Sequence, residues 1–455
     1  MIMPIFAVGC LMADPQATER PAFHGALAAA NADARIFGTQ NPENDHGLGE
    51  DVDVFSSSDG TSEVALLQDA GWVSTDAETL VPSQVANFVT TPPIGDILVG
   101  GGYSATFGNL PVVSLFALGD FDIGGATVGC MCRDIHLHDR VWVLETSGEG
   151  YDASVFALPG SDDPLTDWAA TEVGDSTGDG VSDLLVGAEG AGSAFGFLIP
   201  SSATVDASFS GALRYSSLQY NMVGQHIAAI GDTNGDGLSE YVAAGSNWDW
   251  ETDHGYGGGG AAFLLQGLPA ADIADSVGLL ATIEGEATGY QVGGPFGDVQ
   301  GIGDNDGDGY ADVLVGATAE PSEENFSPSK YLTGIFHGPL NGIVHFADAP
   351  LTLRGDDDQD PVYCTDRAFG DFDGDGSIDL LAGGYLGSYL FLGPITASGF
   401  ASDLAAASFA ESRGGYSIGD FDADGFDDFV LTDPTWTGTS DDVPLFGRVQ
   451  VWYGR

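Results

Sequence analysis

One short acidic pattern occurs five times along the chain, each time as a nine-residue loop that runs directly into an apolar segment. We name the copies L1 to L5, and they occupy residues 175–183, 232–240, 304–312, 371–379 and 420–428. Acidic or amide residues, with one threonine, stand at loop positions 1, 3, 5 and 9, and glycine stands at position 6. Carboxylates this close repel one another unless a hard cation lies between them. The pattern therefore predicts a metal-binding turn that recurs in a repeated structural unit.

The predicted ligands are the side-chain oxygens of positions 1, 3, 5 and 9 and the backbone carbonyl of position 7. In L1 and L2 these are Asp175, Thr177, Asp179, Val181 and Asp183, and Asp232, Asn234, Asp236, Leu238 and Glu240. In L3 to L5 they are Asp304, Asp306, Asp308, Tyr310 and Asp312; Asp371, Asp373, Asp375, Ser377 and Asp379; and Asp420, Asp422, Asp424, Phe426 and Asp428. A flexible set of oxygen ligands, without sulfur or imidazole, favours Ca²⁺ over Mg²⁺ and transition metals. We expect about five calcium ions, one in each loop.

An EF-hand is the obvious competing explanation, but it needs a bidentate Glu at loop position 12 and flanking helices. Position 12 is apolar in every copy, and the residues are Val186, Ala243, Val315, Ala382 and Leu431. Each lies in a run such as Asp-Leu-Leu-Val-Gly that is typical of a β-strand. The loops are therefore predicted to be hairpin turns.

The copies recur about 50 to 70 residues apart, the spacing of one four-stranded propeller blade with variable loops. Two degenerate copies precede them, at 118–125 and 53–67. We predict an all-β, seven-bladed β-propeller of four-stranded antiparallel blades in a single domain, 31–455. The segment 34–40 should supply the fourth strand of the last blade and close the ring. Eight blades are the alternative, because 95–101 resembles a further strand.

The net charge of the chain restricts the classes of partner that it can bind. Asp and Glu number 68 against 11 Lys and Arg, a net charge of −57, which disfavours nucleic acid and anionic membrane surfaces. The sequence contains no run of 18 apolar residues, so we predict no membrane span. We expect a monomer that binds a protein or glycan ligand.

Residues 1–30 are predicted to be an apolar leader and linker. The leader ends in Gly9-Cys10, as a bacterial lipoprotein signal would, which makes Cys10 a candidate lipid anchor. Against this, the first basic residue is Arg20, so the positively charged start of a signal is missing. We expect a secreted or cell-surface protein, an outer-membrane lipoprotein among the options, because the loops need calcium at extracellular levels. Pairing among Cys130, Cys132 and Cys364 stays open.

The five acidic loops and the short sequences around them resemble the FG-GAP repeat family, the propeller of integrin alpha chains. The signature sequences are Phe296-Gly297 before L3 and Val-Gly-Ala-Thr at 315–318 after it, with weaker forms at 223–224 and 186–188. The resemblance covers roughly residues 34–455, and it implies seven blades, Ca²⁺ in turns between first and second strands, and a role in adhesion or ligand binding. The two degenerate N-terminal copies depart from it.

Strand order predicts where a ligand would bind. The long segments 246–260, 317–334 and 432–447 should connect second to third strands, on the face opposite the acidic loops. Their aromatic residues are candidate ligand contacts: Trp248, Trp250, Tyr256, Tyr331 and Trp436. Local packing of these rings is the alternative. Two other functions stay open, a hydrolase of glycans or phospholipids on a propeller scaffold and an acidic surface-matrix protein, although no catalytic motif is present.

Overall fold

The computed structural model of the chain is described for residues 23, 25–28, 31–38, 48–56, 62–74, 80–89, 95–99, 104–105, 112–117, 128–133, 139–147, 150–156, 167–178, 180, 182–189, 195–199, 213–216, 226–245, 260–267, 278–285, 290–292, 299–319, 331–355, 362, 369–384, 387–440 and 443–455. Between residues 48 and 156 only the backbone is described. The secondary structure of the described residues is almost entirely β-strand, as the sequence predicts. Residues 1–22 of the predicted leader and linker, Cys10 among them, lie outside the described residues, as do Trp248, Trp250 and Tyr256. Phe23 and the strand Gly25–Leu27, from the rest of the predicted linker, are described.

The N-terminal strands are β1 (Gly25–Leu27), β2 (Ala34–Gly38), β3 (Leu48–Ser56), β4 (Ser62–Ser74), β5 (Leu80–Val89), β6 (Gly95–Val99), β7 (Ser104–Ala105), β8 (Val112–Ala117), β9 (Val128–Arg133), β10 (Asp139–Ser147) and β11 (Gly150–Phe156). The middle strands are β12 (Asp167–Glu172), β13 (Leu184–Glu189), β14 (Phe195–Ile199), β15 (Leu213–Ser216), β16 (His226–Gly231), β17 (Glu240–Gly245), β18 (Ala261–Leu265), β19 (Leu279–Glu284), β20 (Tyr290–Val292), β21 (Val299–Gly301), β22 (Val313–Ala319) and β23 (Tyr331–Phe336). The C-terminal strands are β24 (Gly342–His345), β25 (Leu351–Arg354), β26 (Phe369–Gly370), β27 (Asp379–Gly383), β28 (Gly387–Phe391), β29 (Gly399–Phe400), β30 (Ala407–Ala410), β31 (Gly414–Gly419), β32 (Asp428–Ser440) and β33 (Val443–Trp452). The described helical elements include α1 (Ala401–Leu404) and a 3₁₀ turn at Phe346–Asp348, and no helix among the described residues is long and apolar enough to cross a membrane.

Most strands belong to antiparallel meanders of four, which we call units. The units in the described residues are β3-β4-β5-β7, β8-β9-β10-β11, β12-β13-β14-β15, β16-β17-β18-β19, β21-β22-β23-β25, β26-β27-β28-β30 and β31-β32-β33-β2. The acidic loops L1 to L5 join the first to the second strand of the last five units, as the sequence predicts. First strands of neighbouring units contact one another in the pairs β3–β8, β8–β12, β12–β16, β16–β21 and β26–β31, and β31 of the last unit contacts β3 of the first.

The last unit takes its fourth strand from the other end of the chain. Strand β2 pairs antiparallel with β33, with Ala34 opposite Val451, so the pairing predicted for this segment is confirmed. The Asp33 carboxylate fixes the junction, because it accepts the Tyr453 N–H at 3.0 Å and lies 3.5 Å from the Arg455 guanidinium. The two ends of the chain therefore share one sheet.

Several fourth strands carry a fifth strand that is borrowed from the next unit. The added strand pairs in parallel and comes from the stretch just before the next unit's own fourth strand, and the pairs are β24 on β19, β29 on β25, β1 on β30 and β6 on β2. The segment 95–101, which raised the option of an eighth blade, thus supplies β6 as an edge strand of the last unit. This arrangement covers a sheet edge that would otherwise be free to pair with another chain.

Strand β22 shows why the second strands are apolar at nearly every position. Val313 and Val315 face the core shared with the L2 unit, whereas Leu314 between them faces the core shared with the L4 unit. All three side chains are buried. Since alternate residues of a strand point to opposite faces, a sheet packed between two others must be apolar on both.

One predicted loop is a hairpin instead. The sequence predicts a long connection at 432–447, but β32 continues to Ser440 and β33 begins at Val443. The two strands stay paired around an irregularity between Asp433 and Thr437. Threonine, tryptophan and valine in this segment favour extended backbone, and this preference outweighs its glycine and proline content.

Candidate metal-binding loops

All five acidic loops share one hydrogen bond from a backbone N–H to the side chain of position 1. The carboxylate of position 1 accepts the N–H of the glycine at position 6 through Oδ2. The pairs are Asp175–Gly180 (2.9 Å), Asp232–Gly237 (2.9 Å), Asp304–Gly309 (2.8 Å), Asp371–Gly376 (3.0 Å) and Asp420–Gly425 (3.0 Å). Each of these glycines has a positive φ, between 88° and 98°, which side-chain-bearing residues rarely adopt. The aspartate and the glycine together fold the loop tightly enough to bring alternate side chains to one point.

The carboxylate at position 9 closes the loop from its other end and is fully buried in every copy. It accepts the N–H of position 2, at 2.8 to 3.0 Å. In L3 to L5 its second oxygen also accepts the N–H of a glycine that follows the third strand, namely Gly338 (2.9 Å), Gly393 (2.8 Å) and Gly454 (2.8 Å). The closing carboxylate therefore joins the first and third turns of its unit.

Burial of these carboxylates disfavours their charged form. It raises the pKa of Asp379 to about 7 and that of Asp428 to about 8, and nearby carboxylates add to both shifts. Burial likewise raises the pKa of Glu240 and Asp312, although backbone hydrogen bonds oppose the shift. The closing carboxylates of L4 and L5 therefore take up a proton or a cation near neutral pH, which relieves the repulsion.

Three loops bring candidate ligands together, with one oxygen of each residue within 4.8 Å of the others. The groups are Asp304, Asp306 and Asp308 in L3; Asp371, Asp373 and Asp379 in L4; and Asp420, Asp422 and Asp428 in L5. Asp375 and Asp424 stand apart from these groups and accept the N–H of Ser377 (2.7 Å) and Phe426 (3.1 Å). Asp179 and Val181 of L1 lie outside the described residues.

In L2 an amide stands where the other loops place a carboxylate or a hydroxyl. The Asn234 amide group donates to Asp236 at 3.2 Å and to Glu240 at 3.0 Å. It thereby offsets part of the repulsion between these two carboxylates.

The carboxylate oxygens of these loops fit a hard cation, and one unpaired oxygen in L4 supports this assignment. Asp371 belongs to the L4 carboxylate group, and its Oδ1 is buried and has no hydrogen-bond partner. A buried carboxylate oxygen without a partner is costly in a protein interior. A cation bound by Asp371, Asp373 and Asp379 would satisfy it.

Sequence reasoning missed the role of the position-7 side chains. In L2, L3 and L5 this side chain lies against the glycine at position 4 of the preceding loop. Leu238 approaches Gly178, Tyr310 approaches Gly235 and Phe426 approaches Gly374, so closely that a Cβ on the glycine would stand 3.0 Å or less from the ring or methyl group. The large residue at position 7 and the glycine at position 4 of the previous copy were both visible in the sequence. Only the contact between neighbouring units connects them.

Sequence reasoning also missed His337, which follows the third strand of the L3 unit. Its Nδ1 lies 3.1 Å from Asp312 and 3.4 Å from Asp306, so an imidazole joins the acidic groups of L3. No pattern within the loop itself signals this residue.

The aromatic residues predicted as ligand contacts are described only in part. Tyr331 begins strand β23. Trp436 lies in β32, where its ring is 5.1 Å from the Phe37 ring and 5.2 Å from the Arg448 guanidinium carbon. The partly buried Trp436 thus already has two packing partners.

No protein family model matches the chain. Among solved structures it is similar to the Dos1 propeller, at 9% identity and a TM-score of 0.43, over 92% of this chain and 94% of that one. It is also similar to AofleA from Arthrobotrys oligospora, at 10% identity and a TM-score of 0.31, over 78% of this chain and 92% of that one. Both TM-scores are low, so the propeller-like arrangement rests on the strand pairing described above. The FG-GAP resemblance stays a prediction.

Proposed function

We propose that the chain is a calcium-stabilised, seven-bladed β-propeller that acts as an exported binding module. The seven units, the contact of β31 in the last unit with β3 in the first, and the completion of the last unit by β2 support a closed ring. The blades are the units, and the acidic loops lie at the turns between their first and second strands. Because these turns also join neighbouring units, calcium bound there would stabilise the ring.

The observation that carries the calcium proposal is the L4 carboxylate group. Asp371, Asp373 and Asp379 offer oxygen ligands alone, and Asp371 Oδ1 is buried without a partner. Calcium takes six to eight oxygen ligands in flexible geometry, which suits this set better than the strict octahedron of magnesium. When bound, the ion supplies charge neutralisation, while the chain's own carboxylates hold the turn in place.

Melting the protein with calcium, with magnesium and with a chelator tests this proposal. We expect calcium to raise the melting temperature well above both of the other conditions, because binding to the folded state alone adds stability. Asp373→Asn should reduce the gain, and Asp403→Asn, on an exposed position of α1, should not. An unchanged melting temperature with and without calcium would contradict the proposal.

We place the ligand site on the face opposite the acidic loops. The segments between β17 and β18 and between β22 and β23 leave their sheets at the end away from L2 and L3, because strands in a meander alternate in direction. Aromatic residues on loops held by a rigid scaffold suit recognition of a protein or glycan, whereas the sequence offers no catalytic motif.

A glycan array and a pull-down in millimolar calcium would search for the ligand. The double variant Trp248→Ala/Trp250→Ala should lose binding. Trp436→Ala is the comparison, since this ring contacts Phe37 and Arg448 and its loss should act mainly on stability. Unchanged binding by the double variant, at a concentration near the dissociation constant, would rule out this face.

A further inference from the structure

We propose that L3, together with His337, forms a mixed nitrogen–oxygen site that takes a divalent cation of the zinc class in preference to calcium. The inference rests on the proposed function only in treating L3 as a metal-binding turn. His337 Nδ1 lies 3.1 Å from Asp312 Oδ2 and 3.4 Å from Asp306 Oδ2. One imidazole and two carboxylates therefore converge on one point, and their ligand atoms all lie within 4.8 Å of one another.

The same position in the other described units shows that His337 is a special feature of L3. The residue stands directly before the glycine whose N–H binds the closing carboxylate. Its counterparts beside L2, L4 and L5 are Gln266, Leu392 and Tyr453. Gln266 also reaches its loop, where its amide donates to Asp236 at 3.0 Å, so this turn is close enough to supply a ligand.

The distances suit small borderline cations. Zinc binds histidine nitrogen and carboxylate oxygen at about 2.0 to 2.2 Å, which places adjacent ligand atoms about 3 to 3.5 Å apart. The two observed separations fall in this range. Imidazole suits zinc and other late first-row cations, whereas calcium selects oxygen ligands.

The supporting contacts hold the ligands in place. Asp312 accepts the Asn305 N–H at 3.0 Å and the Gly338 N–H at 2.9 Å, and its side chain is fully buried. Hydrogen bonds of this kind orient a metal ligand. His337 is 22% exposed and Asp306 is 36% exposed, so a cation can enter from solvent.

Titration of Zn²⁺ into the full chain in saturating Ca²⁺, followed by calorimetry, tests the inference. We compare the unmodified chain with His337→Gln, which copies Gln266 and should fold, and with His345→Gln, an exposed histidine of β24, as the matched control. His337→Gln should weaken one zinc site by at least about tenfold, since even the loss of an outer-shell partner costs this much. His345→Gln should leave that site unchanged.

A reciprocal change and a spectroscopic measurement complete the test. Gln266→His should add a second zinc site at L2, and Co²⁺ bound to the unmodified chain should show a visible absorption band that His337→Gln alters. Equal zinc affinity in the unmodified chain and His337→Gln would overturn the inference, as would displacement of the zinc by calcium. The melting shift with calcium is measured separately, so failure here leaves the proposed role of calcium in the other loops intact.

Discussion

The backbone N–H of Ala311 in L3 donates to the carbonyl oxygen of Asp232 in L2 at 3.0 Å. The same bond joins Ser239 to Asp175 (2.9 Å) and Asp427 to Asp371 (3.0 Å), so position 8 of one loop binds position 1 of the loop before it. L3 is connected to the L4 unit by the Asn305 side chain, which makes two hydrogen bonds to the Ile395 backbone, at 2.8 and 3.0 Å. Because the loops are linked, order in one loop supports its neighbours.

In the L2 to L5 units a glycine follows the third strand, and we expect it to tolerate no side chain. A Cβ at Gly267 would stand 2.7 Å from the Ser239 carbonyl oxygen and 2.9 Å from that of Ser176. Gly267→Ala should lower the free energy of unfolding by about 1 to 3 kcal/mol, the usual cost of overpacking. Urea unfolding measures this. Gly399→Ala is the control, since a Cβ there would meet only Leu404 side-chain atoms at 3.3 Å or more, and an equal cost in both variants would refute the interpretation.

The closing carboxylate of L5 should be difficult to replace even by its own amide. Asp428 accepts N–H groups from Phe421 (2.9 Å), Asp422 (3.1 Å) and Gly454 (2.8 Å). In Asp428→Asn an amide N–H₂ would face one of these donors, at a cost of about 1 to 3 kcal/mol. Chemical unfolding in calcium, with the exposed Asp403→Asn as the reference, checks the prediction. A cost no larger than that of the reference would contradict it.

Stability of the chelator-treated protein should fall as the pH rises. The pKa values of Asp379, about 7, and Asp428, about 8, lie above the ordinary carboxyl value near 4. The folded chain without metal therefore holds protons that the unfolded chain releases, so this contribution is full below about pH 4 and is lost as the pH passes about 8.

Melting curves at several pH values in chelator would show this decline. The double variant Asp379→Asn/Asp428→Asn should show a shallower dependence between pH 5 and 8. An identical slope in the variant and the unmodified chain would assign the effect to other groups. Calcium should suppress the decline, because it binds the ionised form.

Strand β2, which completes the last unit, should contribute strongly to stability. Ile36 of β2 is 2% exposed and packs with Val449 and Val451 of β33. Ile36→Ala should cost about 2 to 5 kcal/mol. Ile343→Ala on the edge strand β24, where the side chain is 66% exposed, should cost little. Calorimetric melting of both variants tests this, and similar melting temperatures would mean that β2 is dispensable.

The local pattern was sufficient for much of the fold. The alternation of acidic ligands, glycine at position 6 and a following apolar strand predicted the turn, its place between first and second strands, and the pairing of β2 with β33. These features depend on neighbours in sequence or on a missing strand that the repeat makes evident. By contrast, the glycine and proline residues at 432–447 predict a loop, whereas the structure has a hairpin there.

By itself the sequence determined that a unit recurs, that its turns concentrate carboxylates and that its strands are apolar on both faces. Only the tertiary structure decided which groups meet across units: the bond from Ala311 to Asp232, Tyr310 against Gly235, the borrowed edge strands and the approach of His337 to Asp312. The physical reason is the range of the interactions. Turn geometry and side-chain alternation are set within a few residues, whereas these contacts join segments that lie tens of residues apart and come together only when neighbouring sheets pack.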